Sequence, residues 1–104
     1  MDKYKVEFEA LPWQNPTKGV RFKAFQQEGR KLRLVEFARD FVEPDWCIKG
    51  HIGYVLAGEG KVDFNDHVVH LTAGEGIFIP PGISNKHKSS VISEVMLLIL
   101  VEDA

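Results

Sequence analysis

The sequence predicts a single all-β domain, a sandwich or a small closed barrel, on three observations. Apolar residues recur at every second position over most of the chain, which is the spacing of strands that bury one face. Turn-forming residues separate these runs at close intervals. The chain has 104 residues, of which 44% are hydrophobic and 27% charged, the size and composition of one folded domain. We therefore expect one domain over residues 1–104.

Five segments show the pattern of strands most clearly. Residues 6–10, 20–24 and 61–65 alternate apolar with polar or charged side chains, as strands with one solvent-facing side do. Residues 32–37 and 94–101 are apolar on both faces, which is typical of strands covered on both sides. No window of eleven or more residues shows the 3.6-residue period of an amphipathic helix. The core is expected to contain six phenylalanines: Phe22, Phe25, Phe37, Phe41, Phe64 and Phe78.

Glycine and proline mark the predicted turns. We expect the Gly58–Gly60 turn to form a tight hairpin between strands 51–57 and 60–64, because glycine tolerates the backbone angles of such turns. We also expect the Pro-Pro-Gly segment 80–82 to lead into a strand that carries Asn85, since proline is tolerated at the start of a strand.

Charge and composition exclude several classes of function. Thirteen basic and 15 acidic residues give a net charge of −2, which favours neither nucleic acid nor an anionic membrane as a partner. The longest uninterrupted apolar run, Val95–Val101, is seven residues long, whereas a membrane-spanning helix needs about 20. The N-terminal residues lack the apolar segment of a secretory signal, and the single cysteine, Cys47, cannot form an intramolecular disulfide. We therefore expect a cytoplasmic protein with no nucleic-acid partner and no membrane partner.

Two segments in the second half of the chain carry a more specific pattern. Residues 45–58 read DWCIKGHIGYVLAG, and residues 74–85 read GEGIFIPPGISN. They resemble the paired motifs of the cupin superfamily at four frame positions: Gly58, Gly74, Pro80 and Gly82. The resemblance covers about residues 30–100 and implies a double-stranded β-helix, or jelly-roll, barrel. Residues 1–29 would then supply an N-terminal strand and a connection to this barrel.

The positions at which cupins usually carry three histidines and one glutamate as metal ligands hold other residues here. Asp45 and Cys47 stand at the two histidine positions of the first motif, His51 at the glutamate position, and Asn85 at the histidine position of the second motif. If the family's register holds, alternation along the strands points these four side chains and His87 into the barrel. A concave site with a few convergent polar groups is the usual form of a small-molecule pocket, so we expect these five residues to bind a ligand.

The same side chains leave two interpretations open. Cysteine and histidine are good ligands for a divalent transition metal such as Zn, Ni, Fe or Mn, so His51 and His87 could form a three-ligand site with Cys47 or with Asp45. Alternatively, these groups hydrogen-bond to one another, to water or to an organic ligand in a barrel without a metal.

Direct pairing of Cys47 with His51 is not expected. Four residues along a strand place two backbones about 13 Å apart, unless the chain bends, which Gly50 would permit. A lone inward cysteine is more often a small apolar filler than a nucleophile.

Two functions from different classes follow from the resemblance. The first is a small cupin that binds a polar organic molecule, such as a sugar derivative or a carboxylic acid, without redox chemistry. The alternative is a metal-dependent enzyme of the dioxygenase, isomerase or decarboxylase type, with a metal at Cys47, His51 and His87 and with Asp45 as proton acceptor. Single-domain cupins commonly pair, so we expect a homodimer in which the strand Val6–Ala10 adds to the edge of a neighbour's sheet.

Overall fold

The computed structural model describes residues 3–104 and confirms the predicted all-β class. Over these residues the chain forms nine strands: β1 Gln14–Thr17, β2 Val20–Gln27, β3 Arg30–Ala38, β4 His51–Ala57, β5 Glu59–Phe64, β6 Val68–Thr72, β7 Gly76–Ile79, β8 His87–Val91 and β9 Val95–Asp103. Two short 3₁₀ helices, Phe8–Ala10 and Ile83–Asn85, complete the described elements. Within the described residues, no helix has the length and apolarity needed to span a membrane.

The strands form two antiparallel sheets that face each other, the jelly-roll arrangement of the prediction. The larger sheet has the order β1-β2-β3-β9-β4-β7, and the smaller has the order β6-β5-β8. The core between them contains eight buried apolar residues: Val35, Val55, Val62, Leu71, Ile79, Met96, Leu98 and Leu100. Each such side chain contributes about 1.5–3 kcal/mol when it leaves water, so this core is the main source of stability.

The chain crosses between the sheets at Gly58, and the predicted hairpin between strands 51–57 and 60–64 is wrong. β4 pairs with β7 and β9, whereas β5 pairs with β6 and β8. Gly58 has a φ of +87°, and a Cβ there would lie 2.1 Å from the carbonyl oxygen of Val95. The crossing therefore requires glycine, although no hairpin forms there.

The N-terminal segment does not form the predicted strand over residues 6–10, part of which is the 3₁₀ helix. Lys23 donates a hydrogen bond to the carbonyl oxygen of Phe8, and the Trp13 ring lies under the cationic groups of Arg21 and Lys23. Arg21 and Lys23 alternate with Val20 and Phe22, which line the interior. The segment therefore lies against the outer face of β2.

Four of the six phenylalanines predicted for the core lie in or beside it, but Phe25 and Phe78 do not. The assignment of Phe25 to the core is wrong, because alternation along β2 places it on the outer face with Arg21 and Lys23. Phe22, Phe37 and Phe64 pack against the core, and Phe41 stacks on Phe37 with ring centroids 4.8 Å apart. Phe78 lies on the edge strand β7 between the inward-facing residues 77 and 79, and its side chain is 73% exposed. The assignment of Phe78 to the core is therefore wrong, because alternation along β7 turns it outward.

Candidate functional site

Three potential ligand side chains meet at one end of the barrel interior. His51 is the first residue of β4 and His87 is the first residue of β8. Cys47 lies in the loop between β3 and β4 and is held to β8 by reciprocal backbone hydrogen bonds with His87, of 2.8 and 3.0 Å. The ligand atoms of these three residues all lie within 4.8 Å of one another.

Cys47 and His51 lie in contact, contrary to the expectation from the sequence. The Cys47 Sγ atom is 3.7 Å from His51 Nε2. The separation of about 13 Å assumed a continuous strand, whereas β4 begins only at His51 and residues 48–50 form a bend. Gly50 permits this bend, because a Cβ there would lie 2.9 Å from the carbonyl oxygen of Ile79 and from Pro81.

Hydrogen bonds fix which nitrogen each imidazole offers to the cluster. His51 Nδ1 lies 2.6 Å from the Glu102 Oε2 atom, and His87 Nδ1 lies 3.0 Å from the carbonyl oxygen of Asn85. Both partners are oxygen acceptors, so each neutral imidazole carries its proton on Nδ1 and leaves the Nε2 lone pair available. Metal-binding histidines are held in this way by an outer hydrogen bond.

Glu102 is a nearly buried carboxylate that orients His51. Its side chain is 9% exposed and accepts two hydrogen bonds from the Arg33 guanidinium. The Nε atom of Arg33 donates to Oε1, and an Nη atom donates to Oε2 at 2.7 Å. Burial alone would raise the pKa of Glu102, but the hydrogen bonds from His51 and Arg33 and their charges outweigh it and lower the pKa to about 2. The carboxylate is therefore ionised at neutral pH and is a constant acceptor for His51.

Glu102 makes the stability of the metal-free protein pH-dependent. Its folded-state pKa of about 2 lies below the ordinary value of 4.5, so the stabilisation is fully present above about pH 5 and is lost as the pH falls towards 2. We expect the free energy of unfolding of the wild type to fall by up to roughly 3 kcal/mol more than that of Glu102→Gln over this range. Denaturant unfolding of chelator-treated protein at several pH values measures the difference. Parallel pH profiles for the two proteins would contradict this role of Glu102.

A largely apolar cavity of about 210 Å³ opens between the sheets beside the cluster. Its apolar lining includes Val20, Phe22, Val35, Phe37 and Phe41. Its polar lining consists of Arg33, Glu43, His51, His87 and Ser89. A wider groove of about 770 Å³ at the mouth of the barrel is lined by Cys47 and shares several of these polar residues, so the cluster lies where the cavity and the groove meet.

The five residues predicted to bind a ligand divide into two groups. Cys47, His51 and His87 converge as predicted. Asp45 is exposed and lines neither the cavity nor the groove. Asn85 lies in the second 3₁₀ helix, not in the predicted strand, and contributes its backbone carbonyl oxygen to His87. The strand assignment for Asn85 is wrong because β8 begins two residues later.

Arg33, Glu43 and Glu102 line the cavity or the groove but were not predicted from the sequence. Alternation along β9 contained the signal for Glu102, since residues 98, 100 and 102 share a face and the first two are buried in the core. The same alternation places Arg33 beside Val35 on the inner face of β3. Glu43 carries no such signal, because it lies in a loop, where side chains do not alternate between two faces. The backbone amide of Ser89 donates a hydrogen bond to its carboxylate.

Comparison with known proteins agrees with this fold. Residues 32–88 match the model of the AraC-like ligand binding domain, which is more than half of the chain. The chain therefore belongs to the AraC-like ligand binding domain family of the cupin superfamily, and the predicted cupin resemblance is confirmed. No curated protein matches the chain in sequence.

Solved cupin structures resemble the chain over most of its length. An RmlC-like cupin from Shewanella frigidimarina is 18% identical, with a TM-score of 0.79 over 97% of this chain and 90% of that chain. KdgF from a Halomonas species is 19% identical, with a TM-score of 0.75 over 92% and 91%. The polyketide cyclase RemF from Streptomyces resistomycificus is 18% identical, with a TM-score of 0.75 over 95% and 78%. At these identities the likeness shows the fold alone.

Proposed function

We propose that this chain is a small-molecule-binding cupin domain that holds a divalent transition metal at Cys47, His51 and His87. The observation that carries the proposal is the convergence of one sulfur and two imidazoles within 4.8 Å, with both Nδ1 atoms already engaged by oxygen acceptors. A cysteine ligand must stay reduced, which favours a cytoplasmic location. When bound, the metal would supply a Lewis acid at the end of the cavity.

The donor set fits a metal such as zinc, nickel or iron. A tetrahedral zinc with bonds of about 2.3 Å to sulfur and 2.0–2.1 Å to nitrogen holds its ligand atoms about 3.3–3.6 Å apart. The 3.7 Å between Cys47 Sγ and His51 Nε2 is already close to this spacing. Three protein ligands leave a coordination position open, and His51 and His87 both line the cavity. A metal held by these residues would therefore supply a Lewis acid beside the space where an organic ligand would bind.

The shape and charge of the cavity and groove limit the class of ligand. The cavity has room for about seven water molecules, so the bound part of the ligand is small. In the mouth groove, Glu102 already neutralises Arg33, and Arg30 lies 3.7 Å from Asp103. Lys31, Lys49 and Glu43 are the other charged side chains that line the groove, so one net positive side-chain charge remains there. An acidic polar molecule, such as a carboxylic acid or an acidic sugar derivative, suits this mouth.

Elemental analysis tests the proposed metal. We expect about one transition metal ion per chain in protein that is purified without a chelator and without a polyhistidine tag. Small carboxylic acids and sugar acids should then raise the melting temperature of metal-loaded protein more than that of chelator-treated protein. Protein without stoichiometric metal, even after incubation with zinc, nickel, iron and manganese salts, would contradict the metal proposal. A melting temperature that responds equally in both forms would place the ligand away from the metal.

A metal-dependent enzyme is the second candidate, and Glu43 is the observation that favours it. Its carboxylate lines both the cavity and the groove, and one of its oxygens accepts a hydrogen bond from the backbone amide of Ser89. Glu43 is therefore better placed than the exposed Asp45 to accept a proton from a bound molecule. Conversion of an acid from the same panel, with loss of conversion in Glu43→Gln, would favour an enzyme over a binding domain.

A further inference from the structure

The cavity beside the cluster has a polar end and an otherwise largely apolar wall. Fifteen of the described residues line the cavity, and four of them also line the mouth groove: Arg33, Glu43, His51 and Ile79. The polar end therefore lies where the cavity meets the groove. Of the other eleven residues, nine are apolar and two, His87 and Ser89, are polar. A molecule that fills the cavity needs a polar end at the mouth and a largely apolar body inside.

Three phenylalanine rings form an aromatic part of this wall. Phe37 and Phe41 stack with their ring planes 30° apart. Phe22 lies on the neighbouring strand β2, and the Arg33 guanidinium lies 5.0 Å from its ring centroid. We define the aromatic wall by these three phenylalanines. Aromatic rings attract one another in offset or edge-to-face arrangements beyond what burial of their area contributes, so the aromatic wall favours a planar ring.

The volume of the cavity limits its occupant to one ring. An apolar cavity of about 150 Å³ in another protein stays dry and binds benzene. The cavity here has about 210 Å³, so it accommodates one six-membered ring with a substituent of a few atoms. The substituent would lie at the junction with the groove, because the cavity opens there.

We propose that the ligand is a monocarboxylic acid with a single apolar ring, such as benzoate, whose ring lies against the aromatic wall. Its carboxylate lies at the mouth, where the groove carries one net positive side-chain charge and where the cluster of Cys47, His51 and His87 lies. This assignment rests on the proposed function, that the cavity binds a small acid, and it narrows the class of acid.

A sugar acid has the same charge and ring size but a polar ring. Its hydroxyl groups would leave water for a space in which Glu43 and Ser89 are the polar side chains besides the two imidazoles and Arg33. These few groups cannot pair with every hydroxyl of a hexuronate, and each hydroxyl left unpaired costs about tenfold or more in affinity. We therefore expect the cavity to prefer the apolar ring by roughly 100-fold or more.

Three acids of equal charge and ring size test this preference. Isothermal titration calorimetry of zinc-loaded wild-type protein should show benzoate binding roughly 100-fold or more tightly than glucuronate, with cyclohexanecarboxylate closer to benzoate. Glucuronate that binds as tightly as benzoate would overturn the assignment but leave the proposed function standing. Absence of binding by all three acids would overturn both. The same preference in protein that retains no zinc would support the assignment and contradict the metal alone.

A variant that fills the cavity tests where the ring binds. Val20 is half-buried on β2 and lines the cavity but not the groove. Val20→Phe should weaken benzoate binding about tenfold or more and leave the zinc affinity unchanged, because it alters none of the three ligand residues. Val68→Phe is the matched control, because Val68 is exposed on β6 and lines neither the cavity nor the groove. Equal benzoate affinity in the two variants would overturn the assignment.

A measurement on the wild type keeps the test valid if Val20→Phe does not fold. Burial of apolar surface gives binding a negative heat-capacity change. The enthalpy of benzoate binding should therefore become more negative as the temperature rises. An enthalpy that does not change with temperature would place the ring in water outside the cavity, which is the result that overturns the assignment.

Discussion

Replacing Cys47 by alanine should lower the affinity for a transition metal by roughly 100-fold or more. Loss of an outer hydrogen bond to a metal ligand typically costs 10–100-fold, and loss of one of three protein ligands should cost at least as much. Cys47 is the best of the three positions to test, because its side chain is half-buried, whereas His87 is 1% exposed and His51 is held by Glu102. Competition with a chromogenic chelator for zinc or nickel measures the affinity.

The matched control for this prediction is His70→Ala. His70 is an exposed histidine on β6 and lies outside the cluster, so its removal should leave the affinity unchanged. Glu102→Gln should fall between the two, because it keeps the ligands but weakens the acceptor that holds His51. If Cys47→Ala binds metal as tightly as the control, the metal does not bind at this cluster.

Replacing Arg33 by alanine should destabilise the fold by roughly 3–5 kcal/mol. The Glu102 carboxylate would remain nearly buried with His51 as its remaining side-chain partner, and a buried charge without its counter-ion is strongly destabilising. Urea unfolding at neutral pH, followed by circular dichroism, measures the change.

The double variant Arg33→Ala, Glu102→Ala separates the ion pair from simple loss of packing. It should be more stable than Arg33→Ala alone, because it removes the charge that would be left unpaired. If the two substitutions destabilise additively, the pair makes no specific contribution and the argument for Glu102 as a fixed orienting group fails.

Periodicity in the sequence predicted the all-β class and several of the strands correctly. The predicted segments 20–24 and 32–37 lie within β2 and β3, and the segment 94–101 corresponds to β9, which is central in the larger sheet. A period of two reports which face of a strand is buried, but not which strand lies beside it. For that reason Gly58 looked like a hairpin residue, although it is where the chain passes from one sheet to the other.

The candidate site was only partly predictable for a similar reason. The cupin frame identified Cys47 and His51, and alternation with Asn85 added His87. The contact between Cys47 and His51 depends on where β4 begins, and alternation does not define strand ends to within two residues. In the sequence, Arg33 interrupts an apolar run and Glu102 follows one. Each therefore resembles the boundary of a strand, and neither was predicted as a site residue. Alternating charges in residues 6–10 resembled a strand, but in the folded chain that segment has no strand to pair with.

The loop that carries Cys47 gives the proposed metal a mechanical role. Residues 39–50 connect β3 to β4, the two strands that flank β9 in the larger sheet. In this loop, the backbones of residues 41, 43 and 47 form hydrogen bonds with β8. A metal bound by this loop and by the first residues of β4 and β8 would restrict the loop as a cross-link does. Ordering the loop costs conformational entropy, and this cost would lower the affinity for the metal. Unlike a disulfide, such a clip would open and close without a redox reaction, by changes in the supply of free metal.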